Sequence, residues 1–237
     1  MTRKSLQPHR VAVYFAPATQ SAWWQAGSQW LGRCAATDAR LDQPAVPGVP
    51  TDLQRDLTAD PRRYGFHATL KPPFRLQQGL ALDGVLQEIQ RLCKDTKPFD
   101  LPPLRVAMLG DFLALRPEGD NRRANAVAAN CVTSLQPLAA PLYADELARR
   151  RQQPLTPEQD NLLQRWGYPW VLDQYRFHLS LTGGLDACND AQRAALLQAA
   201  EAVFHPLPHC RFDSIAVFVE PRAGDDFVLT DRLELRG

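Results

Sequence analysis

The 237-residue sequence predicts an α+β fold of two pseudo-symmetric lobes, each an antiparallel sheet with its helices on the outer face, around a central cleft. The first observation behind this is a repeated order: strand, helix, strand, strand occurs over residues 64–116 and again over 175–235. The second is that the copies share landmarks. Each opens on a Phe-His pair (Phe66-His67, Phe177-His178) and carries a Phe-Asp pair further on (Phe99-Asp100, Phe212-Asp213). From histidine to that phenylalanine is 32 residues in one copy and 34 in the other, and internal repeats set architecture. The third is bulk, since 45% hydrophobic residues over this length suffice for a real core. The expected organisation is a loose tail over residues 1–8 and a single bilobal domain over 9–237.

The elements follow in order. Residues 11–16 combine β-branched and aromatic side chains and stop at Pro17, as a strand does. Residues 21–33 read as a helix with Trp23, Trp30 and Leu31 as its buried stripe. Residues 38–63 are rich in Pro, Asp and Thr and lack period, so they read as a long surface excursion with a short helix near Leu53. Residues 64–71 form a strand closed by Pro72 and Pro73, which have no N–H to give a ladder. Residues 81–97 are an amphipathic helix, with Leu82, Val85, Leu86, Ile89 and Leu92 at helical spacing. Residues 104–109 and 112–116 form a hairpin about Gly110-Asp111. Residues 121–151 are helical with interruptions at Pro137 and Pro141. Residues 156–166 are a helix capped by Thr156, with Pro157 first and Gly167 past the end. Residues 175–182 are a strand stopped by Gly183-Gly184, 190–204 a helix, and 211–219 and 227–235 two closing strands.

Composition narrows the function. A formal net charge of +1 does not suit a protein that tracks a long nucleic-acid backbone. A small phosphoester ligand, or at most a strand end, is the expected partner. Five cysteines without a CxxC pair point to reduced thiols of a cytoplasmic protein, not to a disulfide framework or a zinc site. The apolar run at 11–16 is too short for a signal-peptide core or a membrane span.

The chemistry sits on two strands. Read with period two, His67, Thr69 and Lys71 share one face and Phe66, Ala68 and Leu70 the other. In the second copy Arg176, His178, Ser180 and Thr182 face one way, and Phe177, Leu179 and Leu181 the other. A lone histidine such as His9, His205 or His209 is an ordinary hydrogen-bonded residue. Two at matching repeat positions, each two residues before a hydroxyl, read as an acid/base pair. No carboxylate, histidine or cysteine shares their faces to complete a zinc set, so neither a metal nor another cofactor is expected. With one imidazole neutral and the other protonated, the pair suits phosphoester cleavage and a bell-shaped pH profile. Thr69 and Ser180 are placed to donate to the phosphate oxygens. Lys71, Arg176 and Tyr14 are candidate substrate-binding residues, though Lys71 reads equally as a solvated strand end and the facing of Tyr14 is open. Arg149, Arg150 and Arg151 read as a solvated helix end, with anion binding as the alternative. Trp166, Trp170 and Tyr175 read as core.

His67-Ala-Thr-Leu70 and His178-Leu-Ser-Leu181 resemble the paired His-x-Thr/Ser-x motifs of the two-histidine phosphoesterase superfamily, which includes RNA ligase-like enzymes and cyclic phosphodiesterases. The segments Arg10-Val-Ala-Val-Tyr-Phe-Ala-Pro17, Arg63-Tyr-Gly-Phe-His-Ala-Thr-Leu-Lys-Pro-Pro-Phe74, Arg165-Trp-Gly-Tyr-Pro169 and Arg176-Phe-His-Leu-Ser-Leu-Thr182 look like a bacterial family whose genes often accompany phosphonate-utilisation genes. The resemblance implies a bilobal fold and a metal-independent phosphodiesterase, a hydrolase of small cyclic phosphodiesters. A ribose cyclic phosphate from phosphonate catabolism is one candidate substrate. Two alternatives stay open: processing or ligation of RNA 2′,3′-cyclic phosphate ends, and a nucleotide- or RNA-binding module without turnover. Ser180 stands where many relatives carry Thr, and the hydroxyl is kept.

Overall fold

The computed structural model describes residues 7–237. Residues 1–6, most of the expected tail, lie outside the described residues. Strand β1 (Arg10–Phe15) is buried on both sides. Val11, Val13 and Phe15 enter the main core, while Ala12 and Tyr14 enter a smaller cluster with Trp24, Phe218 and Phe227. Helix α1 (Ala22–Leu31) starts where the Ser21 hydroxyl accepts from the Trp24 amide, and it ends at Gly32. The 38–63 excursion is more helical than expected: it holds α2 (Thr51–Leu57) and α3 (Ala59–Tyr64). Tyr64 thus ends a helix rather than opening a strand. Strand β2 (Ala68–Phe74) runs through Pro72 and Pro73, which were expected to close it. It lies at the edge of its sheet, where a missing N–H disrupts no ladder.

Next come α4 (Leu82–Lys94), the short β3 (Phe99–Asp100), and the hairpin β4 (Leu104–Leu109) and β5 (Phe112–Pro117). Helices α5 (Arg122–Leu135), α6 (Ala144–Arg150) and α7 (Pro157–Trp166) follow, with the Thr156 cap and left-handed Gly167 in place. The second histidine strand is shorter than expected: β6 covers only Leu179–Ser180. Helix α8 (Asp190–Phe204), β7 (Arg211–Phe212), β8 (Ser214–Glu220) and β9 (Val228–Glu234) complete the chain.

The result is α+β with antiparallel sheets: β2-β1-β8-β9, β4-β5-β6, and the two-stranded β3-β7. The strands do not stay within their own sequence unit. The first histidine strand, β2, shares a sheet with the closing hairpin β8-β9, and the second, β6, joins the earlier hairpin β4-β5. Helices follow the same exchange, with α4 against β8 and β9 and α8 against β4. The two Phe-Asp landmarks meet in β3-β7, where Phe99 pairs directly with Phe212 and their rings stack at 4.9 Å. Among the described residues no helix is long and apolar enough to cross a membrane.

The residues before each histidine anchor it. Phe66 and Phe177 are at most 1% exposed. Phe66 packs against α1 at Gly27, where an added Cβ would stand 2.1 Å from its ring. Gly27→Ala should therefore destabilise by about 1–3 kcal/mol through overpacking, against its helix-propensity gain. Urea unfolding measures this. A stabilised variant would show that the ring has room to move.

Candidate functional site

His67 and His178 each stand one residue before a strand, β2 and β6, and each is tied down by the same local device. A carbonyl oxygen only accepts, so the imidazole Nδ1–H donates: His67 to Gly65 O at 2.8 Å, and His178 to Arg176 O at 2.7 Å. In the neutral imidazole this leaves Nε2 as the bare, accepting nitrogen in both rings. The Thr69 hydroxyl donates to His67 Nε2 at 3.2 Å. Gly65 has φ +80, and an added Cβ would meet the Ala35 methyl at 2.6 Å. Only glycine can aim that carbonyl at the ring.

The two motif segments are neighbours. β2 runs beside β6, and Tyr175 Oη donates to Thr69 O at 2.7 Å. Burial lowers the His67 pKa to about 4, against the Gly65 hydrogen bond and with the help of His178's charge. Burial likewise lowers His178, opposed by its bond to Arg176 O and aided by Arg116. Both imidazoles are therefore biased to the neutral form. Both shifts run against the mixed protonation state expected from sequence, one ring charged and one not.

Thr69 and Ser180 are half-buried on the same segments as the histidines. The other expected site residues fare differently. Lys71 is 1% exposed and lies away from the histidine face, with its ammonium donating to Gln136 Oε1 at 2.9 Å and sitting 5.1 Å from the Phe74 ring. The reason is a register shift. Thr69 pairs with Tyr14 but Lys71 pairs with Val13, so β2 spends an extra residue at Leu70 and Lys71 turns toward the core. Burial draws its pKa down to about 8. Tyr14 is 1% exposed and stacks on the His67 ring at 3.7 Å, a platform behind the imidazole rather than a surface for substrate. Arg176 is exposed, and its carbonyl holds His178. Thr182 is 2% exposed, and its hydroxyl accepts from the Leu113 amide.

Sequence reading missed Arg116. The pairing of Ala114 with Ser180 carries the exposed Arg116 toward the His178 end of β6, where its charge acts on the imidazole. The Phe112 ring lies 5.7 Å from His178. Residues 112, 114 and 116 alternate as a face in the sequence, but only the sheet shows that this face meets the second motif. Tyr175, read as core, is the hydrogen-bonded link between the motifs, and Trp170 is 40% exposed. The arginine run splits: Arg149 is exposed, Arg151 pairs with Asp160 at 2.7 Å, and Arg150 turns over the Tyr168 ring at 5.1 Å.

Among known proteins, the chain is 42% identical over 234 residues to the "Ribose 1,5-bisphosphate phosphokinase PhnN" of Janthinobacterium sp. (strain Marseille), covering 96% of this chain and 51% of that protein. It is 36% identical over 221 residues to the protein of the same name from Laribacter hongkongensis (strain HLHK9), covering 93% of this chain and 50% of that one. The chain thus spans about half the length of these relatives. Their name denotes a kinase, a phosphoryl transferase. The expected function, a metal-independent hydrolase of cyclic phosphodiesters, is overturned by it, and the RNA-end alternative does not match it either. A family model matches residues 69–228, more than half of the chain. The chain belongs to the family that model describes, "Protein of unknown function (DUF1045)".

Proposed function

We propose that His67 and His178, on neighbouring motif segments, form a sugar-phosphate site, holding a phosphorylated ribose for phosphoryl transfer of the kind named in the relatives. The observation that carries this is the twin tether: two neutral imidazoles, each with Nδ1 fixed on a carbonyl and Nε2 turned into an acceptor, which takes the Thr69 hydroxyl at His67 and is left for a sugar hydroxyl at His178. Ser180 donates to a phosphate oxygen, Thr69 orients His67 through its hydroxyl, and Arg116 supplies the cation beside them. No G-x-x-x-x-G-K-S/T segment occurs in the 237 residues, so this reading gives the chain the sugar-phosphate side of the transfer and no nucleotide cradle. The His-x-Thr and His-x-Ser pair, and the exchange of strands between the repeat units, support a two-histidine, bilobal scaffold over residues 9–237 as part of the same reading. The likeness is one of scaffold and anion binding, not of hydrolysis. The gene name PhnN in both relatives is in keeping with a phosphonate association.

Calorimetric titration with ribose 1,5-bisphosphate and ribose 5-phosphate tests it. Both should bind. Replacing His67 and His178 together by Ala should weaken binding roughly 10–100-fold, from the loss of hydrogen bonds worth about 1–3 kcal/mol in all. Thr69→Val and Ser180→Ala should each weaken it less. Sugar phosphates that fail to bind, or that bind the double variant as well as wild type, would overturn the assignment.

A further inference from the structure

A second cationic group, near Tyr64 and Tyr168, has no anionic partner. Arg150 closes α6 half-buried, with its guanidinium over the Tyr168 ring at 5.1 Å. Among the described residues it makes no side-chain hydrogen bond or ion pair. Its nearest acid in sequence, Glu146, is committed elsewhere, to Arg75 at 2.8 Å and to the Tyr143 amide. Arg150 acts electrostatically on Tyr168, Tyr64 and Arg10. Tyr64 lies 6.3 Å from the His67 ring, and Tyr14, stacked on His67, senses Tyr64, Tyr168 and Arg10 in turn. These residues form one neighbourhood on the Tyr14 and Tyr64 side of His67.

Its charge is not balanced from within. Arg10 and Arg63 share a single carboxylate, Glu220, which leaves positive charge over beside Arg150. Burial, the main cause, and Arg10's repulsion draw the Arg150 guanidinium below its ordinary value, against Tyr168 and Glu146. A half-buried cation without an anionic partner is costly, and one beside tyrosine side chains is a place for an anion. Its neighbours in the run give the contrast: Arg151 is satisfied by Asp160, and Arg149 stands in solvent.

We infer that Arg150, flanked by Tyr168 and Tyr64 with Arg10 behind, is a second anion subsite that takes the far phosphate of a ribose bisphosphate whose sugar lies at His67 and His178. The inference rests on the sugar-phosphate reading and deepens it. The guanidinium fork would hold two phosphate oxygens side by side, which a lysine ammonium cannot reproduce. The subsite makes the site selective for two phosphates over one.

The test compares ribose 1,5-bisphosphate, ribose 5-phosphate and inorganic phosphate by calorimetry on wild type, Arg150→Gln, Arg150→Lys and Arg149→Gln. Wild type should prefer the bisphosphate over the monophosphate roughly 10–100-fold. Arg150→Gln should erase that preference, Arg150→Lys should keep part of it, and Arg149→Gln all of it. Melting temperatures check the fold, and should Arg150→Gln fail to fold, Arg150→Lys carries the comparison. If both Arg150 variants keep the wild-type preference while the double histidine variant loses binding, the subsite falls and the sugar-phosphate reading stands. If no sugar phosphate binds but inorganic phosphate does, weakened by Arg150→Gln, the anion subsite stands and its sugar is withdrawn. If no anion binds, both are overturned.

Discussion

Replacing Glu220 with Ala is expected to destabilise the protein by about 3–5 kcal/mol, the usual cost of breaking a buried ion pair by removing one partner. Glu220 ends β8 at 0% exposure. It accepts from Arg10 Nε, from Arg10 Nη2 at 2.9 Å, from Arg63 Nη2 at 2.6 Å and from the Gly224 amide at 2.9 Å. Burial alone would raise its pKa, but the Arg10 and Arg63 guanidiniums and that amide hold it below the ordinary carboxylate value. Without the carboxylate the two partly exposed guanidiniums lose their shared partner and repel each other. Arg63 belongs to α3 and Arg10 to β1, so the damage reaches both walls behind His67. Glu220→Gln still accepts hydrogen bonds and should cost less than Ala. Urea unfolding of both variants measures the effect. A loss below about 1 kcal/mol for Ala would mean that water replaces the carboxylate and that the cluster is not truly closed.

The second large effect is on acid stability. The folded His67 has its pKa lowered to about 4, from an ordinary 6.5, chiefly by burial. Above the ordinary value neither folded nor unfolded chain carries the proton, and the histidine does not favour unfolding. As pH falls through 6.5 the unfolded chain takes up a proton that the folded chain refuses. Stability therefore drops progressively until about pH 4, by up to about 3 kcal/mol from this residue. His178 is displaced the same way and adds to the slope. His67→Asn keeps a donor for the Gly65 carbonyl but cannot titrate. Between pH 7 and pH 4.5, wild type should lose about 2–3 kcal/mol more than the variant. Carboxylates such as Glu220 titrate in both proteins, so the difference isolates His67. Parallel stability curves for the two proteins would sink the claim that this imidazole is held neutral.

The parts of this molecule legible in the sequence are those governed by neighbours along the chain. Phe66, Ala68 and Leu70, and Phe177, Leu179 and Leu181, are buried as alternation requires. The Thr156 cap and the Gly167 stop needed only a few residues of context. The histidines came out as a pair because each precedes a hydroxyl at the same place in a repeat. What escaped depends on contacts between distant segments. The turn of Lys71 into the core follows from a pairing irregularity with β1, which no pattern within residues 64–74 reveals. Pro72 and Pro73 are tolerated because β2 happens to lie at an edge. Arg116 reaches His178 only because β5 pairs with β6, and Arg150 differs from Arg149 and Arg151 only by what lies beneath it. The type of reaction was misjudged for a related reason. Two histidines and two hydroxyls define how a phosphate is held, and holding a phosphate is common to cleavage and transfer alike.

The exchange of strands between the two sequence units has a consequence for a chain emerging from the ribosome. β1 precedes its partner on one side, β8, by about two hundred residues of chain. Until then the apolar Val11, Val13 and Phe15 lie along an open strand edge, the kind of surface that recruits other chains. The β4-β5 hairpin can form early from local contacts, but it gains β6 only after residue 180 has been made. Neither half of the chain holds a finished sheet, so a nascent chain halted midway has no folded lobe to show. A halt before residue 214 leaves β1 without the strand that seals it.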